Sequence, residues 1–290
     1  MNTFLKNKIE LVEEKLNQLV SVEESTPHAS LYQAARYALF TGGKRLRPIL
    51  TLAACQAVGG DEEKALLPAC ALEMIHTYSL IHDDLPCMDN DDYRRGKPTL
   101  HRAFPEGLAL LAGDFLLTKA FETLSETPDL HASLKLKLIQ ILARKSGGDG
   151  MIGGQVIDID SNQQQFNLSS LENMHQMKTG ALIQAAVEFG ALVGEASDEI
   201  VEKLSLFGRK IGLAFQVIDD VIDVISPDQK HGKRSDVENH KTTYVTLLGI
   251  DGAKATAERL MNEAIVLVRS LPIDSAELIG LAEFVARRKS

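Results

Sequence analysis

Residues 211–225 read IGLAFQVIDDVIDVI, an apolar run interrupted by three carboxylates. Leu213, Phe215, Val217, Ile218, Val221, Ile222 and Val224 cover most of a helical circumference, so this segment belongs inside a protein. Asp219 and Asp223 stand at i and i+4 and share one face, about 6 Å apart, which Gln216 joins from one turn earlier. Buried without compensation, two such carboxylates would cost several kcal/mol, and no Lys or Arg stands a turn away to pair with them. An exposed polar stripe is the alternative, but too much of the circumference is apolar for it. The chain must bring cations to this face from elsewhere. Hard oxygen donors without imidazole or thiolate suit Mg²⁺.

A second acidic stretch lies far upstream. Residues 78–96, YSLIHDDLPCMDNDDYRRG, carry Asp83, Asp84, Asp89, Asp91 and Asp92, followed at once by Arg94 and Arg95. Carboxylates this close stay ionised together only where water or cations neutralise them. The adjacent guanidiniums suit phosphate, which they bind as a fork. Alone, the stretch reads equally well as a solvated acidic turn. Beside the aspartates of the downstream helix, it reads as half of a clamp on a diphosphate.

Other cations are set locally, although the chain carries a net charge of −9. That balance argues against a general nucleic-acid or anionic-membrane binder. Residues 42–48, GGKRLRP, place Lys44, Arg45 and Arg47 between a glycine break and Pro48, a proline suited to helix position N1. Fixed cations beside helix-start amides make an anion pocket; an exposed charged junction is the plainer reading. His76 punctuates an apolar helix two turns before the aspartates. Lys178 sits among small and apolar neighbours, so its ammonium either reaches water or faces an anion. Lys230, Lys233 and Arg234 fall in the polar stretch 226–240, with Lys241 just beyond, where a loop can close over a bound anion.

Helical periodicity predicts helices over 4–20, 30–40, 49–58, 62–82, 106–125, 130–145, 168–194, 198–225, 242–248, 252–271 and 275–289, and no strand. Gly148, Gly150 and Gly153 spell GxGxxG, but a helix rather than a strand precedes them, which speaks against a dinucleotide fingerprint. The five glycines of residues 146–154 are expected to let helices approach closely or kink, with Asp158 and Asp160 as outer support for a site. No linker divides residues 1–290, and the expectation is one all-α domain of ten or more helices. Three cysteines without metal spacing fit a reducing compartment. No apolar h-region opens the chain, and no apolar run reaches the ~20 residues that span a bilayer. The expected location is cytoplasmic, with no stable membrane insertion.

In order, GGKRLRP, IHTYSLIHDDLPCMDNDDYRRG, LAGD, GMIGGQ, KTGALI, FQVIDDVID and KTTY resemble the short-chain trans-prenyltransferases, and among them the bacterial farnesyl diphosphate synthases. The ordered set spans almost the whole chain. The resemblance implies an all-α bundle around a deep central cavity, a homodimer, and three Mg²⁺ ions per site, for which Mn²⁺ can substitute. It implies head-to-tail condensation of isopentenyl diphosphate with dimethylallyl and then geranyl diphosphate, giving (2E,6E)-farnesyl diphosphate. By resemblance Asp83, Asp84, Asp89, Asp219 and Asp223 bind the metal, with Asp220 supporting catalysis. Arg94, Lys178, Thr179, Gln216, Lys233 and Lys241 match groups on the allylic diphosphate. Lys44, Arg47, His76 and Arg95 match the isopentenyl diphosphate pocket. Tyr78, five residues before Asp83, is placed as the floor of the hydrocarbon pocket. Two departures stand out: the stretch between Lys233 and Lys241 is two residues shorter than the usual pattern and lacks its glycine beside Ser235, and Val245 replaces a common proline. The rivals are a geranyl or geranylgeranyl diphosphate synthase, a terpene cyclase, which needs no second cation set, and a non-catalytic partner subunit.

Overall fold

The computed structural model describes residues 2–160, 166–225 and 242–287. Thirteen α-helices make up almost all of it. α1 (Asn2–Leu19) and α2 (Ala29–Leu39) lead into α3 (Leu46–Ala57) and α4 (Glu62–Asp83). Two short elements the periodicity misses follow: an antiparallel pair, β1 (Tyr93–Arg94) with β2 (Lys97–Pro98), and α5 (Leu100–Ala103). They are too short to carry a periodic signal, and the Arg95–Gly96 turn that joins the strands has positive φ at both residues.

α6 (Glu106–Glu126), α7 (Ala132–Ser146), α8 (Met151–Asp160) and α9 (Leu168–His175) come next. A π-helical turn, Gln176–Gly180, joins α9 to α10 (Ala181–Val193). α11 (Asp198–Ile225), α12 (Tyr244–Arg269) and α13 (Ala276–Ala286) complete the fold. Within α12, Gly249 leaves helical geometry at φ 71°, which explains why the sequence reads as two helices there. Thr243 starts α12 in a reciprocal capping box with Thr246.

Every residue of α10 but Gln184 is buried, and the helix packs against α3, α4, α7 and α11. α4 lies between α3 and α6 with nearly all of its middle turns buried. One apolar cluster runs from Leu5 to Val285, and large side chains such as Phe189 and Phe207 within it each contribute roughly 1.5–3 kcal/mol. Pro48 falls at the third position of α3 rather than the first, because Arg45 caps that helix in the left-handed region at φ 47°. No amide donor is required that early in a helix, so the proline is accommodated. Among the described residues no helix is long and apolar enough to cross a membrane.

Candidate active site

α4 delivers three of the predicted groups to one cavity: His76, Tyr78 and Asp83. The helix stops at Asp83 because Pro86 follows within a turn. The cavity holds about 570 Å³ and is also lined by Arg47, Lys178 and Thr179. Its body is apolar, with Leu85, Met88, Leu117 and Val156 among the walls. Tyr78 is buried, its ring edge-on to His82, and its hydroxyl meets no partner among the described residues. A ring held there by packing alone acts as a wall.

The acidic stretch splits into groups with different surroundings. Burial pushes the Asp83 carboxyl up to about 6; Lys178 and Arg94 oppose the rise, whereas Asp89 and Asp84 add to it. Asp84 is almost fully buried and takes the Arg94 guanidinium as a fork, with contacts of 2.6, 2.7 and 3.0 Å. Asp89 is exposed, and its amide donates to the Asp83 carbonyl at 2.9 Å, closing the loop. Asp91 and Asp92 help to hold that loop: Thr99 Oγ1 donates to the Asp91 carbonyl, and Arg102 donates to the Asp92 carboxylate at 2.6 Å.

Of the GGKRLRP cations, Arg47 lines the same cavity from the first turn of α3, and burial lowers it to about 10, so it stays charged at neutral pH. Its Nε is buried without a hydrogen-bond partner among the described residues, as suits a donor awaiting an anion. Asp219 acts electrostatically on Arg47, which brings the α11 carboxylates into the field of this site. Arg95 donates to the Gly42 carbonyl and thereby binds the hairpin to the GGKRLRP segment. His76 is held neutral, well below its usual range, first by burial and then by Arg47, Arg95, Arg94 and Arg45. Lys44 is exposed.

The sequence undervalued three groups. Arg45 is wholly buried, pairing with Glu73 and Glu13 at 2.9 Å each and donating to the Leu39 carbonyl, so it fixes the segment that carries Lys44 and Arg47. Glu73, a carboxylate on an otherwise buried helix, was the available signal. Asp158 accepts from Lys178 Nζ at 2.6 Å, which aims that ammonium along the cavity wall. His175 stacks on Tyr244 with 5.8 Å between ring centroids, a contact that no periodicity foretells. The glycines of α8 act as expected: a Cβ on Gly154 would fall 2.3 Å from the Lys178 nitrogen, so only glycine lets α8 touch the π turn.

On α11, Asp219 is partly exposed, whereas Asp220 and Asp223 are buried. Gln216 accepts from Thr179 Oγ1 at 3.0 Å and donates to Asp220 at 3.2 Å. Lys233 and Lys241 lie outside the described residues.

Among the described residues no three His, Cys, Asp or Glu side chains converge into a ready metal cage. Mg²⁺ does not need one, since it binds through one or two carboxylates together with waters and substrate phosphate oxygens. An oxygen-only donor set with Asp83 beside Asp84 and Asp89 fits that ion, and a cation there would offset the burial that raises Asp83 first and the repulsion from Asp89 and Asp84 that adds to it.

Residues 28–270 match the polyprenyl synthetase family. The chain belongs to that family. It is 44% identical over 289 residues to a farnesyl diphosphate synthase of Geobacillus stearothermophilus, covering 98% of this chain and 97% of the relative. It is equally identical, at 44% over 292 residues, to a geranylgeranyl diphosphate synthase of Cyanophora paradoxa, covering 99% and 96%. A crystal structure of a geranyltransferase from Helicobacter pylori, complexed with magnesium and isoprenyl diphosphate, superposes with a TM-score of 0.83 at 36% identity, covering 98% of this chain and 94% of that one. The all-α isoprenyl synthase fold is therefore established.

Proposed function

We propose that this short-chain prenyltransferase condenses isopentenyl diphosphate with dimethylallyl and then geranyl diphosphate to give (2E,6E)-farnesyl diphosphate, releasing diphosphate each time. One observation carries the reading: a single cavity joins a polar rim, with the charges of Arg47, Asp83 and Lys178 beside neutral His76, to an apolar body that includes Tyr78. In this reading Asp83, Asp84, Asp89, Asp219 and Asp223 hold Mg²⁺, three ions in all. When bound, the metal supplies positive charge to the diphosphate leaving group.

The chain's own residues do the rest. Lys178 and Arg94 face the allylic diphosphate and stabilise charge gathering on it as the C–O bond ionises. Lys44, Arg47, His76 and Arg95 hold isopentenyl diphosphate with its double bond toward the allylic carbon, so two reactants meet at high effective concentration. Leu85, Met88 and Leu117 exclude water from the carbocation. The double bond attacks, a C–C bond forms, and the proton lost from the new unit passes to the departing diphosphate. No residue forms a covalent intermediate. Tyr78 limits the chain to fifteen carbons.

The reading includes one functional unit over residues 1–290, a cytoplasmic location and a homodimer, which analytical ultracentrifugation tests. Geranylgeranyl diphosphate is the second reading, favoured by the equal identity to the Cyanophora enzyme. Incubating the purified chain alone with isopentenyl and dimethylallyl diphosphates and Mg²⁺ decides between them: a C15 product supports the first, a C20 product the second. Absence of diphosphate release would indicate a partner subunit instead. Asp83→Asn and Asp219→Asn should each lower turnover by orders of magnitude without unfolding the protein; near-normal turnover in both would reject the metal assignment.

A further inference from the structure

We infer that Asp220, the middle carboxylate of the α11 motif, is a positioning residue that locks the start of α12 and the Lys178 turn onto α11, and that it takes no part in holding metal. The inference rests on the proposed roles of Asp219, Asp223 and Lys178. Asp220 is 2% exposed, far less than its neighbour Asp219. One of its oxygens accepts from the Tyr244 amide at 2.8 Å, at the first turn of α12. The other accepts from Gln216 Nε2 at 3.2 Å.

From Gln216 the network continues. Its Oε1 accepts from Thr179 Oγ1, and Thr179 follows Lys178 in the π turn. His175, at the entrance to that turn, lies 3.8 Å from Asp220 and stacks on Tyr244. Two paths, one through Gln216 and one through His175, thus lead from one buried carboxylate to the segment that aims Lys178. Close backbone contact completes the lock: a Cβ on Gly212 of α11 would fall 2.7 Å from the Gly180 Cα. A π turn is an uncommon conformation, and it needs support of this kind to persist. Both amide ends of Gln216 are used inside the protein, so it acts as a spacer between Thr179 and Asp220.

The network predicts unequal effects within one motif. Asp220→Asn keeps an acceptor for the Tyr244 amide, and Gln216 can turn its amide over because the Thr179 hydroxyl either donates or accepts. Asp220→Ala removes both acceptors and leaves a buried amide unpaired.

The test uses the full-length protein with Mg²⁺ and inorganic diphosphate as the probe. Thermal denaturation is followed across a Mg²⁺ titration, beside kinetics and amide hydrogen exchange at Tyr244. Asp220→Asn should leave the Mg²⁺ midpoint of the thermal shift where the wild type has it, whereas Asp219→Asn moves it about tenfold or more. Asp220→Ala should speed Tyr244 exchange about tenfold or more and lower kcat with KM for isopentenyl diphosphate unchanged. A midpoint displaced in Asp220→Asn as far as in Asp219→Asn overturns the inference, and so does Tyr244 exchange unchanged in Asp220→Ala. Should Asp220→Ala fail to fold, the Mg²⁺ midpoint of Asp220→Asn still decides. An unmoved midpoint in Asp219→Asn counts against the proposed metal role of that residue, while Tyr244 exchange still tests the anchor.

Discussion

Arg94 closes a fork on Asp84, with its Nη2 2.6 Å and its Nε 2.7 Å from the carboxylate oxygens. The pair is nearly enclosed, with side chains 20% and 4% exposed, so neither charge is well hydrated. Removing one partner strands the other. Arg94→Met is expected to destabilise the protein by about 3 kcal/mol in urea unfolding. The double variant Arg94→Met/Asp84→Met should recover most of that loss and remain inactive. A double variant no more stable than the single one would show that the pair is not what holds this loop.

Tyr78 forms part of the cavity wall, and its hydroxyl has no partner among the described residues. Tyr78→Phe is therefore expected to leave product length unchanged. Tyr78→Ala should lengthen the product beyond fifteen carbons, because the apolar space then extends past the ring. Chromatography of the dephosphorylated products reads both results. Unchanged lengths in Tyr78→Ala at normal turnover would assign the ring to packing alone.

Gly154 admits the Lys178 backbone to van der Waals distance of α8, and a methyl group there meets main chain that cannot step aside. Gly154→Ala should cost about 1–3 kcal/mol and lower kcat more than it raises KM for isopentenyl diphosphate, since it pushes Lys178 off its aim. Thermal denaturation and steady-state kinetics report the two effects separately. Wild-type values for both would mean that α8 yields without moving the turn.

His76 is held neutral in the fold, below its usual 6.5, first by burial and then by the surrounding arginines. As pH falls through about 6.5 the unfolded chain takes up a proton that the folded chain does not. Stability from this site is thus fully present above that pH and is lost below it. His76→Asn abolishes the titration, so the wild type should lose stability relative to the variant between about pH 7.5 and 5.5. Denaturation midpoints at the two pH values check the sign, and parallel behaviour would place His76 in water.

Much of this protein is legible from its residues in order. An apolar period of 3.6 gives the helices, because burial of one face selects that conformation locally. The i, i+4 spacing of Asp219 and Asp223 gives an inward acidic face for the same reason. The β1–β2 pair and α5 escape, being shorter than any period, and α8 escapes because Gly153 and Gly154 in its first turn hide the helical pattern. What the tertiary structure alone decided is the partner of each charge. Asp84 meets Arg94, Lys178 meets Asp158, Arg45 vanishes between Glu73 and Glu13, and Asp220 turns from the motif to the Tyr244 amide. Sequence spacing orders side chains along one helix. Which carboxylate faces the cavity and which also pairs within the protein depends on how separate helices pack, and there desolvation makes an unmet charge too costly to leave.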